Sequence, residues 1–322
     1  MRVIIIGSGQ LGSRHLQGVL KNSDVTHLWV IDEWESSLKL AEERANEIEH
    51  TAVVFYQSDF KDLPQEVDLC IISGTANVRL DHCQRILSLV KIHFLLLEKI
   101  LFNSLEDFEK SKLFFSEFQG LKVYVNHPRR MFDFYQVLKK KMIRLDNQKW
   151  TIDVSGNDWG LACNALHYVD LWCFLRETEA DGFDFNQDGN STVSSKRSSF
   201  IEIRGTLKVD FSNGDQMFLR SDICPEMKVM NVDLRGERCV WQIQESEKLI
   251  CENATTGELI LEGDVEYQSG LTSKVLEHIK SKGETELTDY FEAFSMHQKF
   301  VLSAIDWYNF KLDKNESFIP VT

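Results

Sequence analysis

The chain has 322 residues, 43% of them hydrophobic and 27% charged, which suits about two domains, each with its own core. Fifty acidic against 36 basic residues give a formal charge of −14, which counts against a generic nucleic-acid binder because displacing counterions from phosphates needs a cationic surface. Four prolines and 17 glycines exclude a disordered or fibrous chain.

The opening residues predict strands and helices in alternation. Short apolar runs recur at Val3–Ile6, His27–Ile31, Val53–Tyr56, Val67–Ile72, His93–Leu97 and Leu121–Val125. Continuous runs of this kind suit strands buried on both faces of a parallel sheet. Helix-patterned stretches separate them at Leu11–Lys21, Glu35–Glu47, Arg79–Leu89 and Leu105–Phe118, with Gly120 expected to close the last. The alternation predicts an α/β class domain, a doubly wound parallel sheet of the Rossmann kind, over residues 1–126.

Residues 127–322 read differently, as an α+β domain with an open, mainly antiparallel sheet. Helices are expected at Phe134–Ile143 and Gly160–Leu175. Consecutive strands follow at Phe200–Arg204, Thr206–Phe211, Gln216–Arg220, Lys228–Leu234, Cys239–Gln244 and Lys248–Cys251. The tail returns to helix at Leu271–Ser281 and Asp289–Lys311, and the polar stretch Thr178–Ser198 reads as a surface loop. Seven cysteines without a CxxC pair argue against a disulfide framework or a metal site and for a reducing compartment. No secretory leader or membrane-length apolar stretch is evident, so a cytoplasmic location without membrane attachment is expected.

Gly7-Ser8-Gly9-Gln10-Leu11-Gly12 directly follows the first strand and opens the first helix. In that context GxGxxG is a dinucleotide-binding fingerprint: Gly7 for the turn, Gly9 for approach of a pyrophosphate, Gly12 for helix–sheet packing. Unpaired N–H groups at the helix start would face the phosphates. Asp32 ends the second strand, where a carboxylate accepts from both ribose hydroxyls and repels a 2′-phosphate. NAD is therefore expected and NADP disfavoured, since Glu33 and Trp34 supply no cation either. Ser73-Gly74-Thr75 ends the fourth strand, where the nicotinamide half should lie.

These residues resemble those of the Gfo/Idh/MocA oxidoreductases. The resemblance rests on GSGQLGSRH with Asp32, Glu98-Lys99 after the fifth strand, Asn126-His-Pro-Arg129-Arg130 after the sixth, and His167-Tyr-Val-Asp170 on a later helix. It implies a nicotinamide-dependent oxidoreductase of sugars or polyols, often oligomeric through the C-terminal sheet; a homo-oligomer is the expected assembly. It also implies cofactor contacts from Glu98, Lys99 and Asn126. Lys99 would hydrogen-bond the reacting oxygen and stabilise its developing charge.

Relatives have proline after that lysine. Ile100 stands here and does not readily supply a cis peptide, which costs about 2.5–4 kcal/mol outside proline. Cys163, Asn164 and His167 fall on one helix face, with His167 the expected general base and Trp159 nearby in sequence. Relatives carry an aspartate at the place of Cys163, and Asn164 is expected to take over substrate positioning. Asp170 either orients the imidazole or pairs structurally. Arg129 and Arg130 suit an anionic carbohydrate such as a sugar acid or nucleotide sugar, one reaching substrate and the other bracing structure. The alternative is a regulator or scaffold that binds NAD without catalysis, motivated by Ile100 and Cys163.

Overall fold

The computed structural model describes residues 1–145, 148–186 and 189–322. In chain order the first elements are β1 (Arg2–Ile6), α1 (Gly12–Leu20), β2 (His27–Ile31), α2 (Glu35–Ala45), β3 (Val53–Gln57), β4 (Glu66–Ile72), α3 (Arg79–Leu89), β5 (Lys91–Leu97), α4 (Leu105–Ser116) and β6 (Lys122–Val125). Next come α5 (Asp133–Met142), β7 (Trp150–Asn157), α6 (Leu161–Arg176), β8 (Ala180–Asp184), β9 (Ser191–Ser194), β10 (Ile201–Phe211) and β11 (Gln216–Asp222). The chain finishes with β12 (Met230–Gly236), β13 (Val240–Glu245), β14 (Lys248–Asn253), β15 (Leu259–Asp264), α7 (Gln268–Lys282), β16 (Thr288–Asp289) and α8 (Tyr290–Leu312).

Among the described residues the chain divides into two compact units. The first comprises Met1–Phe102, Glu106–Pro128 and Glu266–Glu292; the second comprises Asn103–Leu105, Arg129–Val265 and Ala293–Thr322. This differs from a simple split into 1–126 and 127–322, because the segment 266–292 returns to the first unit. The reason is a close helix contact. A Cβ on Gly18 of α1 would lie 2.6 Å from the Cβ of Thr272, so the missing side chain lets α7 lie directly on α1. Leu271, Val275 and Leu276 of α7 are buried.

The first unit is built on a sheet of order β16-β6-β5-β4-β1-β2-β3, parallel except for β16, which runs antiparallel beside β6. The order reverses direction between β1 and β4. Loops after those two strands therefore diverge and leave a crevice at the carboxyl edge, the usual place for a ligand in such sheets. Val3, Ile4 and Ile5 of β1 are fully buried, as the uninterrupted β-branched run requires. Gly120, expected to close the fourth helix, instead follows α4 at a distance, at φ 85° in the turn into β6.

The second unit holds a sheet of order β15-β14-β13-β12-β7-β11-β10-β8, with β9 paired to β10. It is antiparallel except where β7 runs parallel to β11. Alternate residues of β7, β10 and β11 are buried, among them Trp150, Ile152, Val154, Leu207, Val209, Met217 and Leu219. They share a core with Leu166, Val169 and Trp172 of α6.

Two sequence readings change here. The expected loop Thr178–Ser198 contains β8 and β9, although Gln187 and Asp188 lie outside the described residues. Its strand β8 is held by α8: Phe300 packs edge-on against Phe183 and Phe185 at centroid distances of 5.6 and 5.3 Å, and Ser303 Oγ donates to the Phe183 carbonyl. The two expected strands Phe200–Arg204 and Thr206–Phe211 are one, β10, because Gly205 continues the strand at φ 127°. No helix among the described residues is long and apolar enough to cross a membrane, and the seven cysteines are free thiols.

Candidate functional site

The glycine loop is tied tightly to the sheet edge. Gly7 N–H donates to the Ile31 carbonyl at 2.8 Å, Ser73 N–H donates to Ile6 at 2.9 Å, and Ser73 Oγ donates to the Gly7 carbonyl. Gly7 has φ +86°, and a Cβ there would lie 2.8 Å from the Gly74 nitrogen. A Cβ on Gly12 would fall 1.9 Å from the Gly7 carbonyl oxygen. Both glycines are thus required by the protein's own packing.

Gly9 is different. A Cβ there would meet nothing within 4 Å and its φ is ordinary, so nothing in the fold asks for glycine. The open space beside it is the cradle a pyrophosphate would fill, and the residues present fit a dinucleotide in this respect. Arg44 of α2 braces the far side of the loop, donating to the Gln10 carbonyl at 2.7 Å and to its side-chain oxygen at 2.6 Å. Asp32 sits at the loop as well. Its carboxylate accepts from Ser8 N–H at 2.6 Å and from Trp34 N–H at 2.9 Å, so it orders the glycine loop from the end of β2.

Behind the carboxyl ends of β5 and β6 lies a buried polar network that the sequence did not announce. His15 Nε2 is 2.8 Å from Glu98 Oε1, and His15 Nδ1 is 3.0 Å from Thr272 Oγ1. Asn126 donates to Glu98 at 2.6 Å and to Gln268 at 2.9 Å. His15, Glu98, Asn126 and Thr272 are all buried. Burial alone would raise the Glu98 carboxyl, but the His15 contact, the Lys99 charge and the Asn126 amide outweigh it and hold the group below the ordinary carboxylate range. Glu98 Oε1 and the Asn126 amide nitrogen, both of residues expected at the cofactor, are thus engaged inside the protein. Lys99 follows Glu98 directly and is half-buried.

The Lys99–Ile100 peptide is cis, contrary to the expectation for isoleucine. Arg79 of α3, almost fully buried, donates to the carbonyls of Ile100 and Leu101 and to that of Gly74 at 2.6 Å. One guanidinium thereby joins the Lys99 segment to the Ser73-Gly74-Thr75 loop.

In the second unit α6 is buried along most of its length, and Cys163, Asn164 and His167 form its half-open face. The spacing of three and four residues puts them together, as expected. Asn164 also has a contact within the chain that its spacing did not indicate. The Asn164 amide nitrogen donates to the carbonyls of Trp159 and Gly160, at 2.7 and 3.2 Å, so it closes the turn before the helix. Trp159 is also engaged: its indole N–H donates to the Arg220 carbonyl at 2.7 Å, and its ring packs edge-on against Tyr168.

Both arginines are engaged with partners inside the protein. Arg129 donates to Glu245 at 2.8 and 3.3 Å and to the Tyr168 hydroxyl at 3.0 Å, with its guanidinium over the Tyr168 ring. Tyr168 and Tyr135 hydroxyls also donate to Glu245. Burial acts to raise the Glu245 carboxyl, but Arg129 and the two hydroxyls hold it low, while burial raises both tyrosines. Arg130 pairs with Asp170 at 2.8 Å in the interior, one of the two roles the sequence allowed for Asp170. The reason is chain geometry: both arginines enter a 3₁₀ turn, Pro128–Met131, that packs them inward against α6.

Sequence reasoning missed Arg44, Arg79, Glu202 and Glu245. Each acts through a fold-dependent partner, and none stands in a motif.

No family sequence model matches the chain, and no curated protein matches it by sequence. Solved structures match over nearly its whole length. They include scyllo-inositol dehydrogenase from Lactobacillus casei with bound NAD(H) and scyllo-inositol, at 13% identity, TM-score 0.64, covering 94% of this chain and 95% of that one. WlbA dehydrogenase from Bordetella pertussis, in complex with NADH and UDP-GlcNAcA, matches at 15% identity and TM-score 0.67, covering 95% of each chain. The transcriptional regulator Gal80p from Kluyveromyces lactis matches at 13% identity and TM-score 0.68, covering 97% of this chain and 93% of that one. At such identities the likeness is one of fold. The fold is the one these solved structures share, a Rossmann unit with a largely antiparallel second sheet.

Proposed function

We propose that this chain is an NAD-dependent oxidoreductase that moves hydride to or from a carbinol carbon of a carbohydrate-like substrate. The observation that carries the reading is the half-buried Lys99, set directly after a Glu98 that His15 and Asn126 lock in place, on the same sheet edge as the open Gly9. Gly7, Ser8, Gly9, Gln10, Leu11 and Gly12 would hold the pyrophosphate, and Asp32 the adenosine ribose. Ser73, Gly74 and Thr75 would line the nicotinamide side. NAD, when bound, supplies the hydride acceptor.

Lys99 would donate to the reacting oxygen and stabilise its negative charge. His167 would take or return the hydroxyl proton, a task suited to a group whose ordinary pKa is near 6.5. The fold likeness to dehydrogenases crystallised with NAD(H) supports the cofactor. Because Arg129 and Arg130 are engaged internally, a nucleotide sugar or sugar acid is not favoured over an uncharged polyol. Self-association through the second unit's sheet belongs to the same proposal, and light scattering on the purified protein tests it.

The decisive experiment has two parts: calorimetric titration with NAD and NADP, then NADH formation at 340 nm against free polyols, sugar acids and nucleotide sugars. Tight NAD binding with turnover on at least one class supports the reading. A second reading, a cofactor-binding regulator, is favoured by the cysteine at position 163 and by the likeness to Gal80p. Tight NAD binding without turnover on any class selects it.

A further inference from the structure

The first turn of α6 lacks a cap of its own. Gly160, at its N-cap, offers no side chain, and no acidic residue occupies the first turn. Its leading N–H groups would be left without partners, and they carry the positive end of the helix dipole. A carboxylate from another strand fills the place. Glu202 of β10 accepts from Ala162 N–H at 2.5 Å and from Cys163 N–H at 3.2 and 3.3 Å.

Three local features make this approach possible. Gly160 has φ +79°, and a Cβ there would lie 2.9 Å from Glu202 Oε2, so glycine both permits the turn and leaves room for the carboxylate. Asn164 ties the turn back to the Trp159 and Gly160 carbonyls. Glu202 sits where β10 pairs with β9, through Glu202 and Val193, so the strand that the polar stretch forms sets its position. Its own strand contributes as well, since Ile203 N–H donates to Glu202 Oε1 at 2.9 Å.

We infer that Glu202 is a positioning residue: its carboxylate supplies the cap that α6 lacks and fixes the helix turn that presents Cys163, Asn164 and His167. An acid at position 163 would sit within the first turn and meet the same N–H groups from within the helix. Cys163 offers no such acceptor, and Glu202 reaches those groups from across the sheet. The consequence for turnover rests on the oxidoreductase reading; the capping role does not.

The test uses the full chain with Glu202→Ala, alone and combined with Cys163→Asp. Amide hydrogen exchange at Ala162 and Cys163 is expected to speed up by about 5- to 30-fold in Glu202→Ala, the range that loss of a cap implies. Exchange in the glycine loop should stay unchanged. Cys163→Asp should restore protection in the Glu202→Ala background. With any sugar or polyol found to be turned over, kcat should fall by about 10- to 100-fold in Glu202→Ala and recover in the double variant, with NAD affinity constant throughout. Should Glu202→Ala not fold, Glu202→Gln keeps the volume and is read at the same two amides.

Unchanged exchange at Ala162 and Cys163 overturns the inference. So does a loss that Cys163→Asp fails to restore, since that loss belongs to the strand and not to the helix cap. A wild-type protein without turnover defeats the oxidoreductase reading alone, and exchange still decides the role of Glu202.

Discussion

The imidazole of His15, one turn into α1, lies 2.8 Å from the carboxylate of Glu98 at the end of β5, and both side chains are buried. This pair joins the helix that follows the glycine loop to the strand that precedes Lys99. It couples the glycine loop and the candidate catalytic lysine through one interior contact. Thr272 and Gln268 of α7 complete it from the other end of the sequence.

Replacing His15 by alanine removes that partner and leaves a buried carboxylate with the Asn126 amide and the Lys99 charge. Breaking a buried pair in this way is expected to destabilise the protein by about 3 kcal/mol. Urea unfolding monitored by tryptophan fluorescence measures it. A change below about 0.5 kcal/mol, the range of an ordinary surface substitution, would mean that the contact contributes nothing to stability.

The same network predicts a direction of pH dependence. The folded Glu98 carboxyl is held below its usual range, so its contribution is fully present above the unfolded value of about 4.3 and is lost as pH falls through the depressed folded value. Stability measured from pH 7 downward should therefore fall more steeply in the wild type than in Glu98→Gln across that acid range. Parallel curves for the two proteins would contradict the assigned shift.

Gly9 and Gly12 separate ligand demand from packing demand. Gly12→Ala drives a methyl group into the Gly7 carbonyl and should destabilise the fold by about 2 kcal/mol or more, as overpacking does. Gly9→Ala meets open space and should leave stability within about 0.5 kcal/mol. If a pyrophosphate lies there, Gly9→Ala should still weaken NAD binding by about 10-fold, or about 1.4 kcal/mol. Thermal melts and calorimetric titration on both variants resolve the two effects.

Arg129 offers a test of its internal role. Arg129→Met leaves Glu245 buried against two tyrosine hydroxyls without a cation, and a loss of about 3–5 kcal/mol is expected. A side chain that only contacted substrate would leave the unfolding midpoint where it was and change KM instead. Denaturant midpoints and steady-state kinetics on the one variant distinguish these roles.

Lys99→Met is expected to lower kcat by about 10²–10³-fold, the usual loss for one donor to a developing oxyanion, with NAD affinity little changed. His167→Ala should lower turnover by about 10²–10⁴-fold if the imidazole moves the proton. An unchanged rate in either variant removes that residue from the mechanism. Neither result depends on which carbohydrate is the substrate, so any compound showing turnover serves.

Much of the fold can be read from local pattern. The runs at His27–Ile31 and Arg79–Leu89 coincide with β2 and α3, because buried parallel strands and half-buried helices write their periods directly into the chain. The stretch 178–198 misled because β8 depends on Phe300, more than a hundred residues away, and not on its own polar composition. The tail 266–292 could not be placed for a similar reason. Gly18 and Thr272 meet only in three dimensions.

The candidate site divides along the same line. The glycine fingerprint, Asp32 and the Cys163–Asn164–His167 face follow from spacing along one strand, one loop or one helix, and local geometry carries such spacing into the structure; Lys99 was picked out by the family resemblance. What Arg129, Arg130, Glu98 and Asn126 do was decided by partners elsewhere in the chain. A buried charge must find an opposite charge or hydrogen bonds to offset its lost hydration, and which group it finds depends on packing. The sequence by itself determined a dinucleotide-type α/β unit and a helix face bearing His167. Tertiary structure alone determined that both arginines turn inward, that α7 rejoins the first unit and that the carboxylate at the start of α6 comes from Glu202, because each depends on contacts between segments far apart in the chain.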